Sequence, residues 1–97
     1  MKRGNIASEV EWDESKNRLN KMKHDVSFEE AATVFLDPLE FTIDDPAHAI
    51  SEYRFISIGQ SFSSRLLVVS YAELDDRIRI ITARKPTRRE RQAYEES

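Results

Sequence analysis

The stretch "RLLVVSYAELDDRIRIITARK", residues 65–85, decides how this chain folds. Its two apolar runs, 65–73 and 77–85, are separated only by Leu74, Asp75 and Asp76. So short a connection has no room for a crossover, and the runs must pair as an antiparallel hairpin. Just upstream, "LEFTI" (39–43) and "EYRFISIG" (52–59) have the same period-two character, with "DDPAHAIS" (44–51) an acidic, turn-like link between them. The two central strands are apolar on both sides, so helices should cover one face and something else should partly cover the other. Simple alternation sends Ile78, Ile80, Thr82 and Arg84 to one face and Arg77, Arg79, Ile81 and Ala83 to the other.

The first third of the chain reads as helical. Val10 and Trp12 alternate with acids as in a short strand, and Asp13 is placed to cap a helix over 14–24 with Glu14 in its first turn. On that helix Leu19 and Met22 share one side, while Lys16, Asn20, Lys23 and His24 fall opposite. In "SFEEAATVF" Ser27 and Glu30 form a capping box, and Phe28, Ala31, Ala32 and Phe35 repeat at i, i+3, i+4 and i+7. Pro38 ends this helix near Leu36. After Pro86, Thr87 and Glu90 make a second capping box, opening a helix over 88–96 whose apolar contacts are Ala93 and Tyr94. Residues 1–8 show no periodicity and are expected to form a flexible leader. The order β-α-α-β-β-β-β-α predicts one α+β domain over 1–97: a small antiparallel sheet with helices packed on one face.

Composition narrows the chemistry. The chain has no cysteine, which excludes disulfides and thiolate catalysis, and no apolar run of membrane-spanning length. A soluble cytoplasmic domain is the expectation. Two glycines cannot build a glycine-rich phosphate loop, and Ser57 and Ser70 lie within strands rather than on a nucleophile turn. His24 and His48 belong to no ligand-like cluster, so no metal and no cofactor are expected. The net charge of −3 conceals a strong segregation. Residues 77–91 carry seven Arg or Lys against one Glu, and 16–24 carry four cations and no acid. Such asymmetry suits a surface for a polyanion.

Several cations have two readings. Arg84 either pairs with an acid such as Glu73 or contacts an anion. Arg54 stands on an apolar row with Ile56 and Ile58, where an arginine is rarely left without a partner. Arg88 and Arg89 occupy the first turn of the last helix, where the dipole disfavours cations unless an anion is near. Lys23 and His24 either cap a helix end or supply a proton-transfer group beside a positive charge.

"EWDESKNRLNKMKHDVSFEEAATVFLDP", "EYRFISIG" and "RIRIITARKPTRRERQAY" together resemble the BrnT toxins, ribonucleases of toxin–antitoxin pairs with a RelE-like fold. The resemblance runs from Val10 to Glu95. It departs at Asp25, where the family usually has a glycine after "KH", and at "EYR", which stands for an "ERF" lead. It implies an mRNA-cleaving toxin that stops growth and is neutralised by a BrnA-like ribbon-helix-helix antitoxin. The pair is expected as a heterotetramer that touches operator DNA only through the antitoxin. On this reading Lys23 or His24 transfers protons, and Arg54, Arg79 and Arg84 hold the scissile phosphate. Lys16, Arg88, Arg89 and Tyr94 meet flanking RNA, with Tyr71 a lesser candidate for stacking a base. The alternatives are a non-catalytic RNA-binding module and a protein-interaction domain using the same basic surface.

Overall fold

The computed structural model describes residues 9–44 and 53–97. The leader expected over 1–8 and most of the acidic link, including His48, lie outside the described residues. The elements are β1 (Val10–Glu11), α1 (Glu14–His24), α2 (Phe28–Ala32), a 3-10 turn (Thr33–Leu36), β2 (Phe41–Asp44), β3 (Tyr53–Gln60), β4 (Leu66–Leu74), β5 (Arg77–Arg84) and α3 (Arg88–Glu96). This is the expected order and an α+β fold. The helix expected from Phe28 to Leu36 is split. The Thr33 hydroxyl bonds the Glu30 carbonyl at 2.6 Å, and the last turn tightens to 3-10 geometry.

The five strands run β1-β5-β4-β3-β2. The pairs β2–β3, β3–β4 and β4–β5 are antiparallel, whereas β1 joins β5 in parallel, so the sheet is mixed at one edge. Asp75, left-handed at φ 56°, turns the β4–β5 hairpin, a conformation that aspartate tolerates. The expected alternation along β5 fails at one point. Ser70 pairs with Thr82 but Tyr71 pairs with Ile80, so Ile81 is an extra residue in a β-bulge. Past the bulge the faces exchange. Ile78, Ile80 and Ala83 enter the core, and Arg79, Thr82 and Arg84 all share the opposite face.

The main core lies between the sheet and the α1–α2 region, where Val26, Phe28, Val34, Leu67, Val69, Tyr71 and Ile80 are almost wholly buried. Each such large side chain contributes about 1.5–3 kcal/mol on leaving water. Tyr71 sits edge-on to Phe35, with centroids 4.9 Å apart, and stacks on Phe55 at 5.6 Å. Its burial removes it as a base-stacking residue. A second cluster, Ile58, Leu66 and Val68 with Phe41, Ile56 and Tyr94, occupies the other face. Packing of helices on one face therefore holds for α1 and α2, while α3 covers part of the opposite face through Tyr94. The reason is geometric: Pro86 and the Thr87 cap start α3 on the Arg84 side of β5.

Helix α1 packs in an unexpected way. Leu19 is 64% exposed and Met22 83%, and the buried residues are Asn17 and Asn20. Asn20 donates to the carbonyls of Val26 (2.9 Å) and Ala83 (2.7 Å) and accepts from the Ala83 N–H at 3.2 Å. It thus continues the β5 hydrogen-bond ladder beyond the end of β1. Asn17 accepts from the Phe28 N–H at 2.8 Å and donates to Glu29 at 3.1 Å. Buried amides cost little when so fully bonded, which explains how a polar face can point inward.

Candidate nucleic-acid interface

The bulge at Ile81 assembles the site. Ala72 pairs with Arg54 on one side and Arg79 on the other, so these two arginines share a row and a face. Two strand spacings put their Cα atoms about 10 Å apart. Thr82 opposite Ser70, and Arg84 opposite Val68, carry the same face along β5. Arg54 is half-buried and Arg79 exposed. Three arginines assigned to phosphate from the sequence thus lie on one surface, two of them brought there by the bulge.

Their electrostatic partners differ. Arg79 Nε reaches Glu11 only at 3.5 Å, and Arg77 shares the same carboxylate at 3.2 Å. Both contacts are solvent-accessible and of small worth. Arg84 is held firmly: its two Nη atoms bind the Glu90 carboxylate at 2.8 and 2.9 Å. The ion pair expected for Arg84 exists, with Glu90 in place of Glu73. Glu90 also accepts from the Thr87 N–H at 2.8 Å, completing the predicted capping box. The Arg84 guanidinium, above all, holds the Glu90 carboxyl down at about 2.

Helix α1 supplies the other side of the site. Lys16, Lys23 and His24, with Asn20, line a cleft of about 280 Å³ that is closed by Ile81 and Thr82 of β5. Thr82 belongs both to this cleft and to the arginine face. It is a site residue that sequence reading missed, because the bulge that exposes it has no glycine or proline to announce it. The helix end that presents Lys23 and His24 is fixed by Asp25. This residue adopts the left-handed conformation (φ 60°, ψ 34°) and donates its N–H to the Lys21 carbonyl at 2.9 Å. Aspartate therefore fills the role for which glycine is preferred.

Arg65, absent from the sequence-based candidates, braces this corner. It donates to both oxygens of Glu30, at 3.0 and 2.6 Å, and to the Asp25 carbonyl at 3.0 Å. Ser61 and Ser63 also donate to Glu30, at 2.6 and 2.5 Å. The Arg65 hydrogen bonds lead in holding the Glu30 carboxyl down at about 2, against burial, which pushes it up. The capping box expected at Ser27 is consequently half made. Ser27 accepts the Glu30 N–H, while the Glu30 carboxylate is committed to Arg65 and the serines.

The remaining candidates are spread more widely. Arg88 and Arg89 are exposed on the first turn of α3 and have no ion pair among the described residues. Tyr94 is turned inward. Its ring joins the second apolar cluster and its hydroxyl donates to Asp37 at 2.6 Å. Burial, helped by Asp37, raises the phenol to about 12. As placed, the half-buried Tyr94 anchors α3 to the sheet through its ring and to Asp37 through its hydroxyl. Among the described residues no three His, Asp or Glu side chains cluster as metal ligands would, and no helix is long and apolar enough to cross a membrane.

Fold and geometry together describe a small α+β protein whose sheet and first helix gather cations as a polyanion-handling surface does. A family profile described as the ribonuclease toxin BrnT of type II toxin–antitoxin systems matches residues 12–90, and the chain belongs to that family. Membership implies an antitoxin partner. Among solved structures, the 1.1 Å crystal structure of the Brucella abortus ribonuclease toxin BrnT shares the fold. It has a TM-score of 0.62 and 21% identity, covering 82% of this chain and 97% of that one. No curated protein matches.

Proposed function

We propose that this protein is a metal-independent endoribonuclease that cleaves mRNA by attack of the neighbouring 2′-hydroxyl, halting growth until a BrnA-like ribbon-helix-helix antitoxin covers it. The observation that carries this reading is the meeting at Thr82 of two surfaces, the Lys16–Lys23–His24 cleft and the Arg54–Arg79–Arg84 face. A proton acceptor and fixed cations on either side of one linkage are the minimum that such a reaction needs.

In the reaction, His24 or Lys23 takes the 2′-hydroxyl proton as the oxygen attacks phosphorus. Arg54 and Arg79 stabilise the charge on the pentacoordinate phosphorane, since a planar fork matches its oxygens and stays charged. The P–O5′ bond then breaks, and an acid protonates the leaving 5′-oxygen. The products are a 2′,3′-cyclic phosphate and a 5′-hydroxyl. Arg84, directed by Glu90, supports the phosphate from farther along the strand through its Nε, which bonds to no described group. Lys16, Arg88 and Arg89 hold flanking backbone. The complex with antitoxin is a heterotetramer that reaches operator DNA through the antitoxin alone.

The test is cleavage of a defined oligoribonucleotide with and without EDTA, with the ends of the products identified. His24→Ala should slow kcat by about 10²–10⁴-fold, the usual worth of a positioned acid or base. Arg79→Ala should slow it by about 10²-fold. Wild-type rates in both variants would refute the assignment, and cleavage abolished by EDTA would refute metal independence.

A further inference from the structure

A second basic groove, of about 440 Å³, opens where the β3–β4 turn meets the link between β5 and α3. Gln60, Ser64, Arg65, Lys85 and Arg91 line it, and among the described residues no carboxylate does. Arg65 is held in place by Glu30, whereas Lys85 and Arg91 are exposed and form no ion pair among the described residues. Uncompensated cations side by side repel one another, and an anion between them relieves the repulsion. The amide of Gln60 and hydroxyl of Ser64 add neutral donors of the kind that contact phosphate and sugar oxygens.

The groove adjoins the cleft of the proposed reaction. The same Arg65 guanidinium that lines it donates to the carbonyl of Asp25, the residue directly after His24. Between the two hollows stands Asp25, whose exposed carboxylate lies 4.0 Å from the Arg65 guanidinium. A ligand that is negative at every repeat along its length spans both without leaving either unmatched, and RNA is such a ligand. An acidic protein segment carries the same sign of charge, and the antitoxin arm of the experiment separates the two. We propose that the groove binds a backbone phosphate of the same RNA strand whose scissile linkage lies in the His24 cleft, with Lys85 and Arg91 as its contacts. This rests on RNA being the substrate, and it extends that reading to the path of the strand.

The experiment uses the full chain with Lys85→Gln and Arg91→Gln combined, exposed changes that leave the core untouched. A charge-matched control combines Arg18→Gln and Lys21→Gln on α1, residues that line neither hollow. Affinity for an oligoribonucleotide made 2′-deoxy at the scissile position is measured against salt, which separates binding from cleavage. Loss of this one phosphate contact should flatten the slope of log K against log salt by about 0.7, the value per neutralised phosphate for a single strand. In cleavage assays kcat/KM of the wild type should climb as the substrate lengthens past the scissile site, and the paired variant should lose most of that climb. The control should keep both. A paired variant with wild-type salt slope and length dependence overturns the proposal. So does one that keeps both but loses affinity for the antitoxin, which would make the groove a protein-docking site. If wild-type protein cleaves no RNA, the ribonuclease reading falls, while the salt slope still judges the groove.

Discussion

Replacing Glu30 with glutamine should weaken the fold in a pH-dependent way. The carboxylate receives two bonds from Arg65 and one each from Ser61 and Ser63, and it sits at about 2 in place of its ordinary 4.5. At about 1.4 kcal/mol per tenfold change in proton affinity, that depression corresponds to an upper bound of about 3–4 kcal/mol. The Arg65 side chain is 33% exposed and that of Glu30 16%, so screening trims the contribution to about 2 kcal/mol. The folded value lies below the unfolded one, so the stabilisation is full above the ordinary carboxylate range and fades as pH falls from 4.5 toward 2. Urea unfolding of wild type and Glu30→Gln at pH 7, 5 and 3, followed by the fluorescence of Trp12, measures it. Trp12 is a suitable reporter because it packs edge-on against buried Phe28, with centroids 6.3 Å apart. The gap should be about 2 kcal/mol at pH 7 and less than half of that at pH 3. A gap that is equal at the three pH values would show that the carboxylate charge is not what holds the β3–β4 turn to α2.

Three further outcomes follow from the packing. Asn20→Ala should cost about 2–3 kcal/mol, because it strands buried groups of Ala83 and Val26, whereas Met22→Ala, at a surface position, should stay within about 0.5 kcal/mol; thermal melts compare them. Gly59→Ala should cost about 1–3 kcal/mol by overpacking, since a Cβ would lie 2.9 Å from Val34 Cγ1 and 3.2 Å from Asp37 Oδ2; the urea midpoint reports it. Tyr94→Phe should lose about 1–2 kcal/mol with the bond to Asp37, and in wild type a tyrosine absorbance step should move up to about pH 12 and vanish in the variant.

The elements of the fold were legible because their signals are local. Asp13, Ser27 and Thr87 cap their helices as their positions suggest, and the β4–β5 hairpin follows from its short loop. What escaped depends on distant partners. Asn17 and Asn20 look like solvent residues until Phe28 and Ala83 are brought up to bond them, and this inverts the helix face that Leu19 and Met22 suggested. Arg84 is a visible candidate for an ion pair, but its partner Glu90 also closes a helix cap, and a local capping signal does not reveal that one carboxylate serves both. The bulge matters most for the candidate site. Period-two reading put Arg79 and Arg84 on opposite faces, and only the pairing register with β4 reunites them.

Ile81 is an extra residue that the ladder accommodates as a bulge, so that the pairing on either side of it stays in one phase. Exchanging it for another β-branched residue keeps the count between Ile80 and Thr82, so the chain still emerges from the irregularity in the right phase. Deleting it would join Ile80 directly to Thr82, giving regular pairing with β4 in which Thr82 and Arg84 keep their places opposite Ser70 and Val68. The cost of shortening the strand at 81 should therefore fall on the wall of the His24 cleft, which loses the Ile81 side chain, and not on the core.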